Sequence, residues 1–129
     1  PKRDVQIDIL KTHREKRAEV ESLFTTEEVL DIQQKVDEIF SSDDLHRYII
    51  DLCEGVRNLA GGAHTVSVRA SIAILRAAKA LALIEGEEYA QPDHVQKIFM
   101  NVMSHRVLCD DGSDLHTVIQ AVLEKIPVP

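Results

Sequence analysis

Residues 68–85, which read VRASIAILRAAKALALIE, constrain the fold of this chain more than any other stretch. Small and branched apolar residues fill the segment, and only four of its residues are charged. A helix that is apolar nearly all round normally lies at the centre of a bundle. Ser67 stands where a helix N-cap is favoured, and Gly86 stands where a left-handed residue ends a helix. We therefore predict a central helix over residues 68–85, capped by Ser67.

The composition favours helices that pack closely together. The chain has 129 residues with 44% hydrophobic content, which is enough to bury one core. Only 4% of the residues are aromatic and there is no tryptophan, which argues against aromatic-rich strands. We predict an all-α fold, a small bundle of about five to six helices that forms one domain over residues 1–129.

Apolar residues recur at helical spacing on both sides of the central segment. A short first helix is predicted from Val5, Ile9 and Leu10. The second predicted helix ends near Phe40 and would bury a stripe made of Val29, Leu30, Ile32, Val36, Ile39 and Phe40. The stripe of the third comprises Leu45, Tyr48, Ile49, Leu52, Cys53 and Val56. After an extended link, EEYAQ, the last two helices carry Val95, Ile98, Phe99, Val102 and Met103, then Leu115, Val118, Ile119, Val122, Leu123 and Ile126.

Polar residues and proline mark where these helices begin. Thr25 and Glu28 have the spacing of a capping box, in which each side chain bonds the main chain of the other. The other predicted start signals are Ser42 or Asp43 for the third helix, Pro92 for the fifth, and Ser113 for the last.

Charge and cysteine usage narrow the possible partners and compartment. A net charge of -7 repels a phosphate backbone, so we predict no nucleic-acid partner. No apolar run reaches the roughly 18 residues that a membrane span needs, so no membrane association is predicted. Cys53 and Cys109 are far apart and show no disulfide or metal spacing, which suits a reducing cytoplasm.

No motif for catalysis or metal binding emerges. None of the six histidines has the spacing of a zinc site, and the DDGSD stretch lacks the alternating acids and closing glutamate of a calcium loop. Each cysteine is expected to fill space as a small hydrophobe. Because no Gly-x-x-x-x-Gly-Lys-Ser/Thr loop is present, the chain alone should not hydrolyse ATP. We predict no catalytic residue and no metal site within these residues.

Arg69 is the candidate binding residue. Arg69 and Arg76 are seven residues apart and share one edge of the predicted central helix, with Lys79 near the same edge. These cations could reach solvent or pair with the many acidic residues. Alternatively, Arg69 lies beside the exposed N–H groups of a helix start and could bind an anion there. The residues alone leave both interpretations open.

Several motifs in order resemble the C-terminal lid of MoxR-type AAA+ ATPases. The resemblance rests on VSVRASIAILRAAKALALIEGEEYAQPDHVQKIFMNVMSHR, on the closing VLEKIPVP, and on FTTEEVLDIQQKV and DDLHRYIIDLCEGVR earlier in the chain. It therefore covers nearly the whole sequence. Two departures stand out: Val68 precedes the arginine where that family usually has proline, and GEE replaces its common Gly-Arg-Asp.

The resemblance implies a function for the arginine. Arg69 corresponds to the family's sensor 2 arginine, which contacts the γ-phosphate of ATP, and Ser67 and Arg76 are further candidate nucleotide-binding residues. The chain would be a piece of a larger chaperone-like AAA+ ATPase whose core domain binds ATP and Mg²⁺, and residues 1–24 would be the joint and first helix. The implied partners are that core domain, neighbouring subunits of a homohexameric ring, and von Willebrand A domain proteins.

Two other interpretations are compatible with the sequence. The chain could be a stand-alone helical interaction module whose basic edge, made of Arg69, Arg76 and Lys79, binds an acidic partner. It could also be the lid of a magnesium-chelatase-type ATPase subunit, which has a similar arginine and final His-Arg.

Overall fold

The computed structural model describes residues 2–12, 21–59, 66–104, 106–107 and 114–129. The helices in this part of the chain are α1 (Arg3–Thr12), α2 (Thr26–Glu38), α3 (Asp43–Leu59), α4 (Val68–Glu85), α5 (Pro92–Met103) and α6 (Leu115–Lys125). No β-strand occurs among the described residues, although one isolated bridge does. The prediction of an all-α bundle of five to six helices is confirmed.

The predicted central helix is α4, with the predicted bounds. It packs against α5, α2 and α3. Its fully buried residues recur every four positions: Ala70, Ile74, Ala78 and Ala82. Three of the four are alanines, which lets neighbouring helices approach closely. The outer face is less buried than predicted, since Ile72 and Ile84 are exposed.

Gly86 ends α4 in the left-handed conformation that its position predicts. Its φ is 80°, and its N–H donates to the carbonyl of Leu83 at 3.2 Å. The next N–H, of Glu87, donates to Ala82 at 2.8 Å. This pair of bonds satisfies two carbonyls that the helix end would otherwise leave free.

α3 supplies most of the core on the other side of α4. All six residues of its predicted stripe are buried: Leu45, Tyr48, Ile49, Leu52, Cys53 and Val56. α6 packs onto this helix at Gly55, where an added Cβ would lie 2.9 Å from the buried side chain of Val122. The missing side chain at residue 55 is thus what allows α3 and α6 to approach.

The predicted start signals of α2, α3 and α5 are confirmed. Thr25 and Glu28 form the capping box, Ser42 Oγ accepts from the Leu45 N–H at 3.1 Å, and Pro92 is the first residue of α5. The N-cap of α6 is Asp114 and not Ser113, because the Asp114 carboxylate accepts from the Thr117 N–H at 3.2 Å. Ser113 itself lies outside the described residues.

The predicted buried stripe of the second helix is wrong for most of its residues, although Ile39, just after α2, is buried. Val29, Leu30 and Ile32 are exposed, and α2 has no buried residue. Within the described structure α2 packs only against α4, and α1 contacts none of the other helices. The outer apolar face of α2 is therefore uncovered in this part of the chain, as is the apolar side of α1.

The chain after α2 forms a small β-bridge instead of a longer helix. The Phe40 N–H donates to the Glu88 carbonyl at 3.2 Å, and the Ala90 N–H donates to the Phe40 carbonyl at 2.8 Å. The bridge is parallel and pairs Phe40 with Tyr89. It joins the link before α3 to the predicted extended link before α5, and it leaves the Phe40 side chain exposed while Ile39 is buried.

Candidate functional site

Arg69 lies in the first turn of α4 with its side chain exposed. None of the described residues forms an ion pair or a side-chain hydrogen bond with it. Ser67 is the N-cap residue, as predicted, but its side chain makes no capping hydrogen bond, unlike those of Thr25 and Asp114. The Ala70 N–H donates to the Ser67 carbonyl at 2.8 Å, while no side-chain cap satisfies the N–H groups of Val68 and Arg69. A free guanidinium beside such a helix start suits an anion.

Contacts with α3 hold this first turn in place. Val66 and Ala70 are buried on either side of it. Arg57, near the end of α3, donates from Nη2 to the main-chain carbonyl of Val66 at 3.0 Å. Two residues after Arg69, Ser71 Oγ donates to Cys53 Sγ at 3.5 Å. The backbone that carries Arg69 is therefore fixed to a buried helix.

Arg57 makes a contact at this helix start that the sequence reasoning missed. It is half-buried, and its Nε–H is shielded from solvent without a hydrogen-bond partner. A buried donor without a hydrogen-bond partner lowers the free energy of unfolding by roughly 1–3 kcal/mol. The sequence held no signal for this contact, because Val66 is unremarkable and the pairing depends on how α3 and α4 cross.

An apolar groove lies next to Arg69, between α3 and α4. Its volume is about 220 Å³, and its lining residues are His46, Ile49, Ile50, Val68, Ser71, Ile72 and Leu75. Val68 is 72% exposed and Ile72 is 53% exposed, although both are branched apolar residues. The first turn of α4 thus presents a cation beside uncovered apolar surface.

The predicted basic edge is divided in the structure. Arg76 Nη2 lies 3.9 Å from the Asp37 carboxylate, and both side chains are largely exposed. Lys79 Nζ donates to the Asp37 main-chain carbonyl at 3.1 Å, near the C-terminus of α2. Arg76 and Lys79 therefore both contact α2, whereas Arg69 does not. A continuous basic surface for an acidic partner is not present at these three residues.

Cys53 is a buried free thiol, as predicted. Burial raises its pKa, so the thiolate that nucleophilic chemistry needs is scarce. Cys109, the other cysteine, lies outside the described residues. Nothing in the surroundings of Cys53 supports a catalytic function.

No group of three or more His, Cys, Asp or Glu side chains within the described ranges could hold a metal ion. His13, His64, His105 and most of the DDGSD stretch, from residue 110 to residue 113, are not among those ranges. The described helices also include none that is long and apolar enough to cross a membrane.

His94 has a structural contact that the sequence reasoning did not identify. It is buried, with its Nδ1 accepting from the Gln91 N–H at 2.9 Å. Its Nε2 lies 3.2 Å from Glu85, whose carboxylate also accepts from Lys97 at 2.9 Å. This cluster joins the end of α4 to the start of α5, far along α4 from Arg69.

Comparison with known sequences identifies the helical region around this site. The sequence profile of the AAA lid domain family matches residues 58–126, which include Arg69 and all of α4, α5 and α6. The matched segment is more than half of the chain. It begins one residue after Arg57 and therefore contains both Val66 and Arg69.

Individual relatives agree with this match. YeaC of Bacillus subtilis, an uncharacterized protein, is 25% identical over 137 residues, covering all of this chain and 42% of YeaC. MoxR of Paracoccus denitrificans is 33% identical over 108 residues, covering 69% of this chain and 32% of MoxR. A crystal structure from Cytophaga hutchinsonii, of a protein proposed to be an ATPase, covers 98% of this chain and 43% of its own, with a TM-score of 0.74. At 21% identity, the last comparison shows a shared fold. The chain spans less than half the length of each of these proteins.

Proposed function

We propose, from the premise that this chain belongs to the AAA lid domain family and is a lid of the MoxR type, that it closes over ATP bound by a core domain of a longer protein. ATP hydrolysis by that protein would change the position of the lid and so drive remodelling of other proteins. This chain by itself would not hydrolyse ATP, because the sequence has no phosphate-binding loop.

The observation that carries this proposal is the state of Arg69. Its guanidinium is exposed, has no partner among the described residues, and lies at a helix start that the Ser67 hydroxyl does not cap. We assign to Arg69 the contact with the γ-phosphate of ATP. Such a charge-assisted hydrogen bond would contribute roughly 1.5–3 kcal/mol to the free energy of binding. Since hydrolysis and release remove the γ-phosphate, the contact exists in only one nucleotide state, and the lid is free to rotate afterwards.

Ser67 and Arg76 have smaller proposed functions at the same site. Ser67 would add a hydroxyl and a main-chain N–H next to the bound phosphate. Arg76 is two turns further along α4 and only weakly paired with Asp37, so its charge remains available to attract the nucleotide.

The described residues fit the phosphates of ATP, and they contribute nothing evident to Mg²⁺. A phosphate suits the exposed cation and the uncapped helix start, whereas no cluster of carboxylates is found among the described residues. We infer that the Mg²⁺ ligands belong to the core domain. When bound, ATP supplies the phosphoanhydride bond whose hydrolysis drives the motion. The lid contributes a cation at the γ-phosphate and apolar surface that excludes water.

The uncovered surfaces of the chain are compatible with a missing core domain. The lining of the groove beside Arg69 includes exposed apolar side chains, and Val5 and Leu10 of α1 are also exposed. We propose that residues 1–129 form one lid domain, with residues 1–24 as its joint to the core. The core would cover α1 and face the first turn of α4.

The whole protein is proposed to act as a ring in the cytoplasm. Six identical subunits would place ATP at each interface, with each lid against a neighbouring core. Client proteins, among them von Willebrand A domain proteins, would be matured by this chaperone-like activity.

The coding sequence upstream of Pro1, together with the ATPase activity of the full-length product, tests this proposal. We expect a Gly-x-x-x-x-Gly-Lys-Ser/Thr loop upstream and Mg²⁺-dependent ATP turnover by the full-length protein. The 129-residue chain should show no turnover above buffer. A full-length protein without such a loop would contradict the proposal, and so would robust hydrolysis by the chain alone.

A further inference from the structure

We propose that Arg57 is a positioning residue for Arg69, and that it acts by fixing the main chain at the start of α4. This inference rests on the proposed function of Arg69 as the contact to the γ-phosphate. It assigns to a residue of α3 a share of the protein's preference for ATP over ADP, although that residue does not touch the nucleotide.

The geometry of a single hydrogen bond carries the inference. Arg57 Nη2 donates at 3.0 Å to the carbonyl of Val66, one residue before the N-cap of α4. Arg69 follows three residues later, within the first turn of the same helix. Because Val66 comes two residues before the first residue of α4, holding its peptide in one direction restricts the position of the first helical turn and of the Arg69 main chain within it.

The other contacts at this turn are less able to set its direction. Val66 and Ala70 are buried, but apolar packing is not directional. The hydrogen bond from Ser71 to Cys53 has a sulfur acceptor at 3.5 Å and lies on the far side of Arg69 from the N-cap. The bond from Arg57 is thus the directional contact on the N-terminal side of Arg69 among the described residues.

Arg57 lies in the last turn of α3, where the helix dipole favours a cation. Its buried Nε–H nevertheless has no hydrogen-bond partner, and an apolar residue of similar length would fill the same space without that cost. The arginine does supply what an apolar residue cannot, a donor that reaches the Val66 carbonyl.

The test measures the affinities of the full-length protein for a slowly hydrolysed ATP analogue, ATPγS, and for ADP. Arg57→Met keeps the length and packing of the side chain but removes the donor, so we expect the preference for ATPγS over ADP to fall roughly fivefold, as for the loss of one ordinary hydrogen bond. ADP affinity and the thermal midpoint should change little. Arg57→Lys restores one donor and is expected to recover most of the preference.

A double-mutant cycle separates positioning from direct contact. If Arg57 acts through Arg69, then Arg57→Met combined with Arg69→Ala should show no lower preference than Arg69→Ala alone. Arg47→Met is the matched control, because Arg47 is also on α3 but is exposed and, among the described residues, pairs with Asp44 alone. This control is expected to retain the wild-type preference.

Each other outcome overturns a specific statement. If Arg69→Ala leaves the preference unchanged, the proposed function itself fails. If Arg69→Ala lowers the preference while Arg57→Met does not, or if the two effects simply add, then only the positioning function of Arg57 fails. An equal loss in Arg57→Met and Arg57→Lys would also overturn it, since the lysine retains a donor. If Arg57→Met does not fold, Arg57→Lys becomes the deciding variant. An Arg57→Lys protein that binds ATPγS no more tightly than ADP overturns the inference.

Discussion

His94 Nε2 lies 3.2 Å from Glu85 Oε2, across the turn that connects α4 to α5. The Nδ1 atom of the same ring accepts from the Gln91 N–H, so Nδ1 carries no proton and Nε2 is the donor to Glu85. Lys97 adds a second bond to the same carboxylate at 2.9 Å. Glu85 therefore links the last turn of the central helix to two residues of its main packing partner.

Replacing Glu85 with Gln should make the bundle less stable near neutral pH and should matter less in acid. The hydrogen bond from Lys97 is the main reason that the pKa of Glu85 is lowered, with further contributions from the charge of Lys97 and the hydrogen bond from His94. A carboxyl whose pKa is lower in the folded state stabilises the fold above its unfolded pKa of 4.5, and this contribution is lost as the pH falls through the folded value.

Urea unfolding at about pH 7 and about pH 3 measures this effect. The difference in midpoint between wild type and Glu85→Gln should be present at the higher pH and shrink at the lower one. Glu87→Gln is the control, because no described residue pairs with its exposed carboxylate. An equal difference at both pH values would contradict the assignment.

Enlarging Ala78 should destabilise the packing of α4. Ala78 is fully buried on the face where small residues let the neighbouring helices approach. Ala78→Leu is expected to cost about 1–3 kcal/mol of the free energy of unfolding, because a filled core has no room for three further carbons. Ala77→Leu is the control, since Ala77 is only partly buried and lines the open groove against α2. Similar unfolding midpoints for the two variants would show that the core is looser than described.

Cys53 should be unreactive toward alkylating reagents in the native state. Its thiol is buried and has a raised pKa, mainly through burial, so little thiolate is present near neutral pH. In a Cys109→Ser background, iodoacetamide should label Cys53 at least ten times more slowly in buffer than in denaturant, roughly as expected when labelling requires opening. Rapid labelling of the folded protein would contradict the buried position.

Much of the fold could be predicted because periodicity reports which residues share a face. The bounds of α4 and the six buried residues of α3 follow directly from such patterns, as does the left-handed Gly86. The same patterns failed for α2, since an apolar face does not reveal whether anything covers it. Leu30 is 54% exposed in this chain despite its place in a regular stripe.

The site was predictable in part for the same reason. Spacing placed Arg69 and Arg76 on one helix edge, but it could not show that Asp37 on α2 would attract Arg76 and leave Arg69 free. Nor could it show that Arg57 would meet the Val66 carbonyl. Contacts between helices depend on how those helices cross, and that information is not local.

The most direct measurement is ATP turnover by the full-length protein with Arg69→Ala, beside Arg47→Ala as an exposed arginine outside the site. Losing a contact worth about 1.5–3 kcal/mol in the transition state should lower turnover roughly ten- to a hundredfold. The account predicts that loss for Arg69→Ala, with an unchanged thermal midpoint and normal turnover in the control. Wild-type turnover in the Arg69→Ala protein would contradict it.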